Sequence, residues 1–128
     1  MSVLATKAAL EQYFIDNWTA TGIQFSGVEF SNKTLTKWIS LKFIPVENDR
    51  YAMNGTVSGR INYNGLLQVF CYAKNESLAY GLSDDVKSFL HDKTIGSIDV
   101  GIGQDRGVEN LDNGYFEALV VFEINNFT

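Results

Sequence analysis

Residues 60–90 change their hydrophobic period partway along, and that change limits what the chain can become. Leu66 to Ala73 is an apolar run broken only by Gln68, and it holds Val69, Phe70 and Tyr72. It is short and bounded by Asn64-Gly65 and Asn75, which favours a buried strand over a helix. The Asn62-Tyr63-Asn64-Gly65 segment before it reads as a hairpin or bulge signal. After it, Leu78, Leu82, Val86, Phe89 and Leu90 recur at spacings of three and four, one apolar stripe on a helix. Asp84, Lys87, Ser88 and Asp92 fall on the wet side of that helix. A strand apolar on both faces needs cover on both, and this helix supplies one cover. The rest of the chain is expected to supply the other strands and the second cover.

Residues 2–18 read as the other helix, with Ser2 as its N-cap. Leu10, Phe14 and Trp18 line up at intervals of four, with Val3 a heptad before Leu10; Leu4, Ala8 and Ile15 form a second stripe beside them. Gly22 reads as the stop or turn after this helix. Ile23, Phe25, Val28 and Phe30 then alternate with polar residues, slipping phase at Ser26-Gly27 as an edge strand with a bulge would. Residues 31–34 read as a turn. Residues 38–46 form a clear strand, with Ile39, Leu41 and Phe43 on one face and Pro45 stopping the ladder near its end. Residues 51–61 read as a further strand, weakened by Gly55 and Gly59. Beyond the second helix, residues 93–96 turn back and Ile98, Val100 and Ile102 alternate as a short half-buried strand. Residues 103–113 read as a long polar loop. Residues 115–124 close the chain as a strand, with Phe116, Ala118, Val120 and Phe122 on one face. The expected architecture is a single α+β domain, residues 1–128, in the order α-β-β-β-β-α-β-β. It is a mostly antiparallel sheet of about five to six strands flanked by two helices.

The chemistry-bearing residues are few. A net charge of -5 does not favour nucleic-acid binding, which calls for a basic face. The lone Cys71 excludes an intrachain disulfide, and residues 1–7 lack the basic-then-apolar pattern of a secretion signal, so a reducing cytoplasm is expected. No run approaches the roughly 18 apolar residues of a membrane span, so no membrane partner is expected. Cys71 sits inside the apolar strand with no helix N-terminus or basic cluster to activate it, and reads as a buried thiol. His91, the only histidine, falls at the end of the second helix, where a capping or surface role suits it. Asp84 and Asp85 point more than a quarter-turn apart on a helix and read as a solvated face. The glycines of residues 101–107 have the wrong spacing for a dinucleotide loop, and no helical run follows. Asp105, Glu109 and Asp112 do not match a calcium-loop spacing. No catalytic, metal-binding or cofactor-binding residues are assigned, and an enzyme is not expected. The polar segments holding Glu47, Asp49, Arg50 and Tyr51, and Asp105, Arg106, Glu109 and Asp112, are the candidate contact residues.

The order of landmarks carries a resemblance. Tyr13-Phe14-Ile15-Asp16-Asn17-Trp18-Thr19-Ala20-Thr21 is followed by Ile23 and by Phe25, Val28 and Phe30. Then come Trp38-Ile39, the block from Gly59-Arg60 to Gly65-Leu66-Leu67-Gln68-Val69-Phe70, and Ala79, Leu82, Asp85, Val86 and Phe89. Asn113-Gly114-Tyr115-Phe116 opens the last strand. Taken in that order over nearly the whole chain, the sequence resembles the tail terminator (tail completion, minor tail protein U-like) proteins of long-tailed bacteriophages. Gly22 departs from the proline that such proteins often carry after the threonine. The resemblance implies a non-catalytic structural virion protein, assembled in the host cytoplasm and found at the head-proximal end of the tail. It implies a homo-oligomeric ring, usually a hexamer, that caps the tail tube protein, ends tube polymerisation and offers a joining surface to the head-completion or connector protein. DNA would pass through the lumen without specific binding, and some of Glu47, Asp49, Asp105, Glu109 and Asp112 are expected to face that lumen or a ring neighbour. The alternatives are another ring-forming tail or neck component, such as a tube subunit or connector, and a small-ligand-binding α+β domain.

Overall fold

A computed structural model describes residues 3–25, 36–96 apart from 47–61, and 98–127. In chain order the elements are α1 (Val3–Asn17), β1 (Gly22–Phe25), β2 (Lys37–Val46), β3 (Asn62–Ala73), α2 (Glu76–Leu90), β4 (Thr94–Ile95), β5 (Ile98–Val100), β6 (Gln104–Asn110) and β7 (Phe116–Phe127). The strands form one seven-stranded sheet in the order β1-β2-β3-β7-β5-β4, with β6 also on β7. The class is α+β and the sheet mostly antiparallel, as the periodicities predict. The exception is β1, which runs parallel to β2 at the edge. The bulge expected at Ser26-Gly27, the turn at residues 31–34 and the strand at 51–61 lie outside the described residues, as does the Ser2 cap.

The pivotal strand sits in the middle. β3 pairs with β2 along one edge and with β7 along the other, placing Ile39, Cys71 and Ala118 in one row and Leu41, Val69 and Val120 in the next. Those rows are the core face. With Leu67, Phe122, Ile98, Val100 and Ile124 they pack against Leu10 and Phe14 of α1, Trp18 just after it, and Ala79, Leu82, Val86 and Leu90 of α2. Phe89 joins the helices, its ring centroid 4.9 Å from Phe14 and 5.1 Å from Trp18.

Both helices therefore cover the same face, so the second cover expected for the other face is not a helix among the described residues. The alternate residues Ser40, Leu66, Phe70, Tyr72 and Leu119 are half-buried on the other face, where no helix lies among the described residues. Three local expectations also change. Asn62–Gly65 is no turn: it lies within β3, with Gly65 opposite Pro45 and Ile124. A Cβ on Gly65 would lie 2.5 Å from the Phe43 ring, so glycine is needed there for close approach within a strand. Pro45 does not end its ladder, which runs on to the Val46–Asn64 pair. Gly22 begins β1 in register with Trp38 and does not serve as a stop.

The largest correction concerns residues 103–113. Most of this predicted loop is β6, antiparallel to the first half of β7, while β5 pairs with the second half of the same edge. β5 and β6 thus make one long interrupted partner for β7. The register slips between Asp105 and Val108, where Gly107 has φ +91° and acts as a bulge. The hairpin closes through residues 111–115, where the Leu111 amide donates to the Tyr115 carbonyl (3.0 Å) and Asp112 and Gly114 take positive φ.

Candidate functional site

Cys71 is completely buried on the core face between Ile39 and Ala118. Burial, with smaller contributions from the Asp105 and Asp85 carboxylates, pushes its thiol up to about 12, the opposite of an activated nucleophile. His91 is exposed and is the C-cap residue of α2, its backbone N–H donating to the Lys87 carbonyl at 2.8 Å. Among the described residues no three His, Cys, Asp or Glu side chains gather as a metal site requires. No helix of the described residues is long and apolar enough to cross a membrane.

The candidate contact residues separate. Glu47, Asp49, Arg50 and Tyr51 lie outside the described residues. Asp105 is on the core-face side of β6 and accepts a 2.6 Å hydrogen bond from Lys87 Nζ, which also pairs with Asp84 at 3.3 Å. The Asp105 hydrogen bond is the first reason the Lys87 ammonium is held above its ordinary value; the one to Asp84 adds to it. Arg106 reaches Gln104 Oε1 at 3.4 Å within the same strand. Glu109 lies on the opposite side of the sheet from Asp105, directly across from Glu117. Asp112 sits at the hairpin tip with φ 62°. The loop expected to gather these charges is a strand, and strand alternation sends them to different faces.

The side-chain arrangement that sequence reasoning missed is on the sheet's second face. Trp38 is only 3% exposed there, although no helix covers it among the described residues. Its ring stacks on Tyr72 (5.0 Å, 21°) and meets Tyr115 edge-on (4.9 Å, 78°). Its indole N–H donates to Gln24 Oε1 at 3.3 Å, tying β2 to the edge strand β1. Tyr72 stands opposite Glu117 in the β3–β7 ladder. Burial raises the Tyr72 hydroxyl above its ordinary range, and its hydrogen bond to the Glu117 carboxylate raises it further. Lys74 Nζ rests 5.7 Å over the Tyr115 ring. The signal was the even-numbered set of the pivotal strand, Phe70 and Tyr72, placed by register beside Trp38. The register itself is a tertiary fact.

The helical layer carries exposed apolar side chains. The exposed large hydrophobics among the described residues are Leu4, Ile15, Leu78, Tyr80 and Ile102. The stripe of Leu4, Ala8 and Ile15 faces solvent along α1, with Leu4 73% and Ile15 56% exposed. Ile102, expected inside a strand, follows β5 and is exposed.

No family model and no curated protein matches the chain. One solved structure aligns with 98% of this chain over 96% of its own length, with a TM-score of 0.69 and 11% sequence identity, and its name states no function. At that identity the likeness concerns the fold alone.

Proposed function

We propose that this chain is a non-catalytic structural subunit of a bacteriophage tail, a terminator that assembles as a ring on the finished tail tube. In this reading the ring, a hexamer in the proteins it resembles, ends tube growth and receives the head connector. The observation that carries the proposal is the ordered series of landmarks from Tyr13 to Phe116. Several of its members are buried packing residues of one fold: Phe14 on α1 and Trp18 just after it, Trp38 and Ile39 on the two faces of β2, Leu67 and Val69 on β3, Leu82 and Val86 on α2. A series held together by one fold is a stronger basis than the same residues scattered among loops. The buried thiol of Cys71, pushed up to about 12, is not an activated nucleophile.

Within this reading the acidic residues keep the lumen from holding DNA phosphates. Asp105 is neutralised by Lys87, so Glu109 and Asp112 on the β6–β7 hairpin are the described acids best suited to that task. Reversing both to lysine is expected to slow DNA passage while leaving the fold intact; particles that eject DNA normally would remove this role.

The test of the main reading is genetic. The gene is interrupted in its source genome and the resulting particles are imaged by negative-stain electron microscopy. Tails of uncontrolled length, or tails left unjoined beside filled heads, are expected. Normal, joined tails would overturn the proposal. Long tubes formed by the purified chain alone would reassign it as a tube subunit.

A further inference from the structure

The chain contains three Asn-Gly dipeptides, Asn54-Gly55, Asn64-Gly65 and Asn113-Gly114. In such a pair the glycine amide can reach the carboxamide before it, because glycine has no side chain to block the approach and turns freely. Asn54-Gly55 lies outside the described residues, and the structure separates the other two. We infer that Asn113 is a modification site: it deamidates spontaneously to aspartate and isoaspartate at the tip of the β6–β7 hairpin, whereas the fold protects Asn64.

Asn113 and Gly114 are both exposed and belong to no strand, so water reaches them. The Gly114 amide makes no hydrogen bond among the described residues; the bond that closes the hairpin, from the Leu111 amide to the Tyr115 carbonyl, passes it by. Gly114 has φ +92°, with nothing within 4 Å of where a Cβ would stand, so its peptide has room to turn toward the carboxamide. The Tyr115 amide donates to Asn113 Oδ1 at 3.1 Å. That bond holds the carboxamide alongside the backbone and draws charge toward Oδ1, which makes Cγ a better electrophile. The Gly114 nitrogen gives its proton to water and bonds to Asn113 Cγ. The Cγ–Nδ2 bond breaks, and Nδ2 takes up a proton and leaves as ammonia. Water then opens the five-membered imide. Opening at Cγ gives aspartate; opening at the main-chain carbonyl gives isoaspartate, whose backbone runs through Cβ. No electrons are exchanged, and water is the only co-reactant.

Asn64 and Gly65 are the inverse case. Each is paired on both sides, with Val46 and Pro45 of β2 and with Asn125 and Ile124 of β7. Gly65 is buried with the Phe43 ring packed against it, so its peptide cannot turn while the ladder is intact. At the hairpin tip either product adds a carboxylate beside Asp112. Isoaspartate also lengthens the main chain inside the Leu111–Tyr115 closure. The inference needs no assembly and is independent of the proposed tail role.

The test is peptide-resolved mass spectrometry of the full chain incubated at neutral pH, folded and in guanidinium chloride, with isoaspartate read by labelling with an isoaspartyl methyltransferase. In the folded chain the peptide holding Asn113 is expected to gain one mass unit with time and to carry isoaspartate, at a rate within about tenfold of the unfolded chain. The peptide holding Asn64 is expected to react at least about tenfold more slowly folded than unfolded, because its reaction waits on local opening. Gly114→Ala sets a methyl beside the attacking nitrogen and should slow the gain at Asn113 at least about tenfold, in guanidinium chloride as well, where folding plays no part. No gain at Asn113 in the folded chain, a gain slowed by folding as much as that at Asn64, or a gain without isoaspartate would each overturn the inference.

Discussion

Gly65 has a neighbouring ring where its side chain would be. A Cβ there would lie 2.5 Å from Phe43 Cζ and 2.9 Å from the Ile44 carbonyl oxygen, and the carbonyl cannot move aside as a ring can. Gly65→Ala is expected to cost about 1–3 kcal/mol through overpacking, read as a lowered urea midpoint. An unchanged midpoint would mean that β2 and β3 separate easily at that end. Cys71 makes a prediction about pH. Its thiol is raised from an ordinary value of 9.0 to about 12, so the folded state keeps a proton that the unfolded chain releases. The stabilisation is complete below pH 9 and falls as pH climbs toward 12. Tyr72 and Lys87, also raised, act in the same direction at higher pH. Urea unfolding at about pH 7 and about pH 10 should show lower stability at the higher pH, and Cys71→Ala should reduce the difference. A thiol reagent that labels the native protein rapidly would contradict the burial.

At the scale of elements, α2 is set by its start and by one bridge. Asn75 Oδ1 accepts from the Leu78 amide at 2.8 Å, an N-cap that the Asn-Glu-Ser sequence makes plausible. Asn75→Ala is expected to cost about 1 kcal/mol, measured as a fall in Tm. The bridge from Lys87 to Asp105 fixes α2 to β6. Both ends are partly solvated, so a double-mutant cycle of Lys87→Met and Asp105→Asn should give a coupling of only about 0.5 kcal/mol. A coupling several times larger would mean that the bridge organises β6. The existence of β6 was poorly legible because glycines and charges dilute its alternation and a bulge breaks it. Asn113-Gly114 before a strand was the usable hairpin signal, and it stood at the right place. The faces of β2 and β7 were plain in sequence because their alternation is uninterrupted.

At the scale of the whole molecule, β3 and β7 bear the fold. β3 is paired along both edges, and β7 holds β3 on one side and β5 and β6 in succession on the other. α2 rests over both of them, and α1 lies against β2 and β4 on the same face. The amides of Val69, Cys71 and Val120 are expected to exchange most slowly in native-state hydrogen exchange, and those of β1, β4 and β6 faster. Equal protection of β6 and β3 would contradict this hierarchy. The central pairing joins residues 62–73 to 116–127 across a long loop of chain, so folding is expected to be slow for this size.

The sequence by itself determined the class, the two helices, the alternating faces of β2 and β7, and the inertness of Cys71. Those follow from period, length and composition, which act on neighbours along the chain. Tertiary structure alone decided that both helices share one face, that β1 runs parallel to β2, and that Trp38, Tyr72 and Tyr115 meet. It also decided that Asp105 faces Lys87 while Glu109 faces the other way. Each of these depends on register between segments far apart in sequence, and moving a strand by one residue would reverse which face every side chain occupies. The outer stripe of α1 belongs to both: its spacing is written in the sequence, and only the packing of α1 through Leu10 and Phe14 leaves that stripe open.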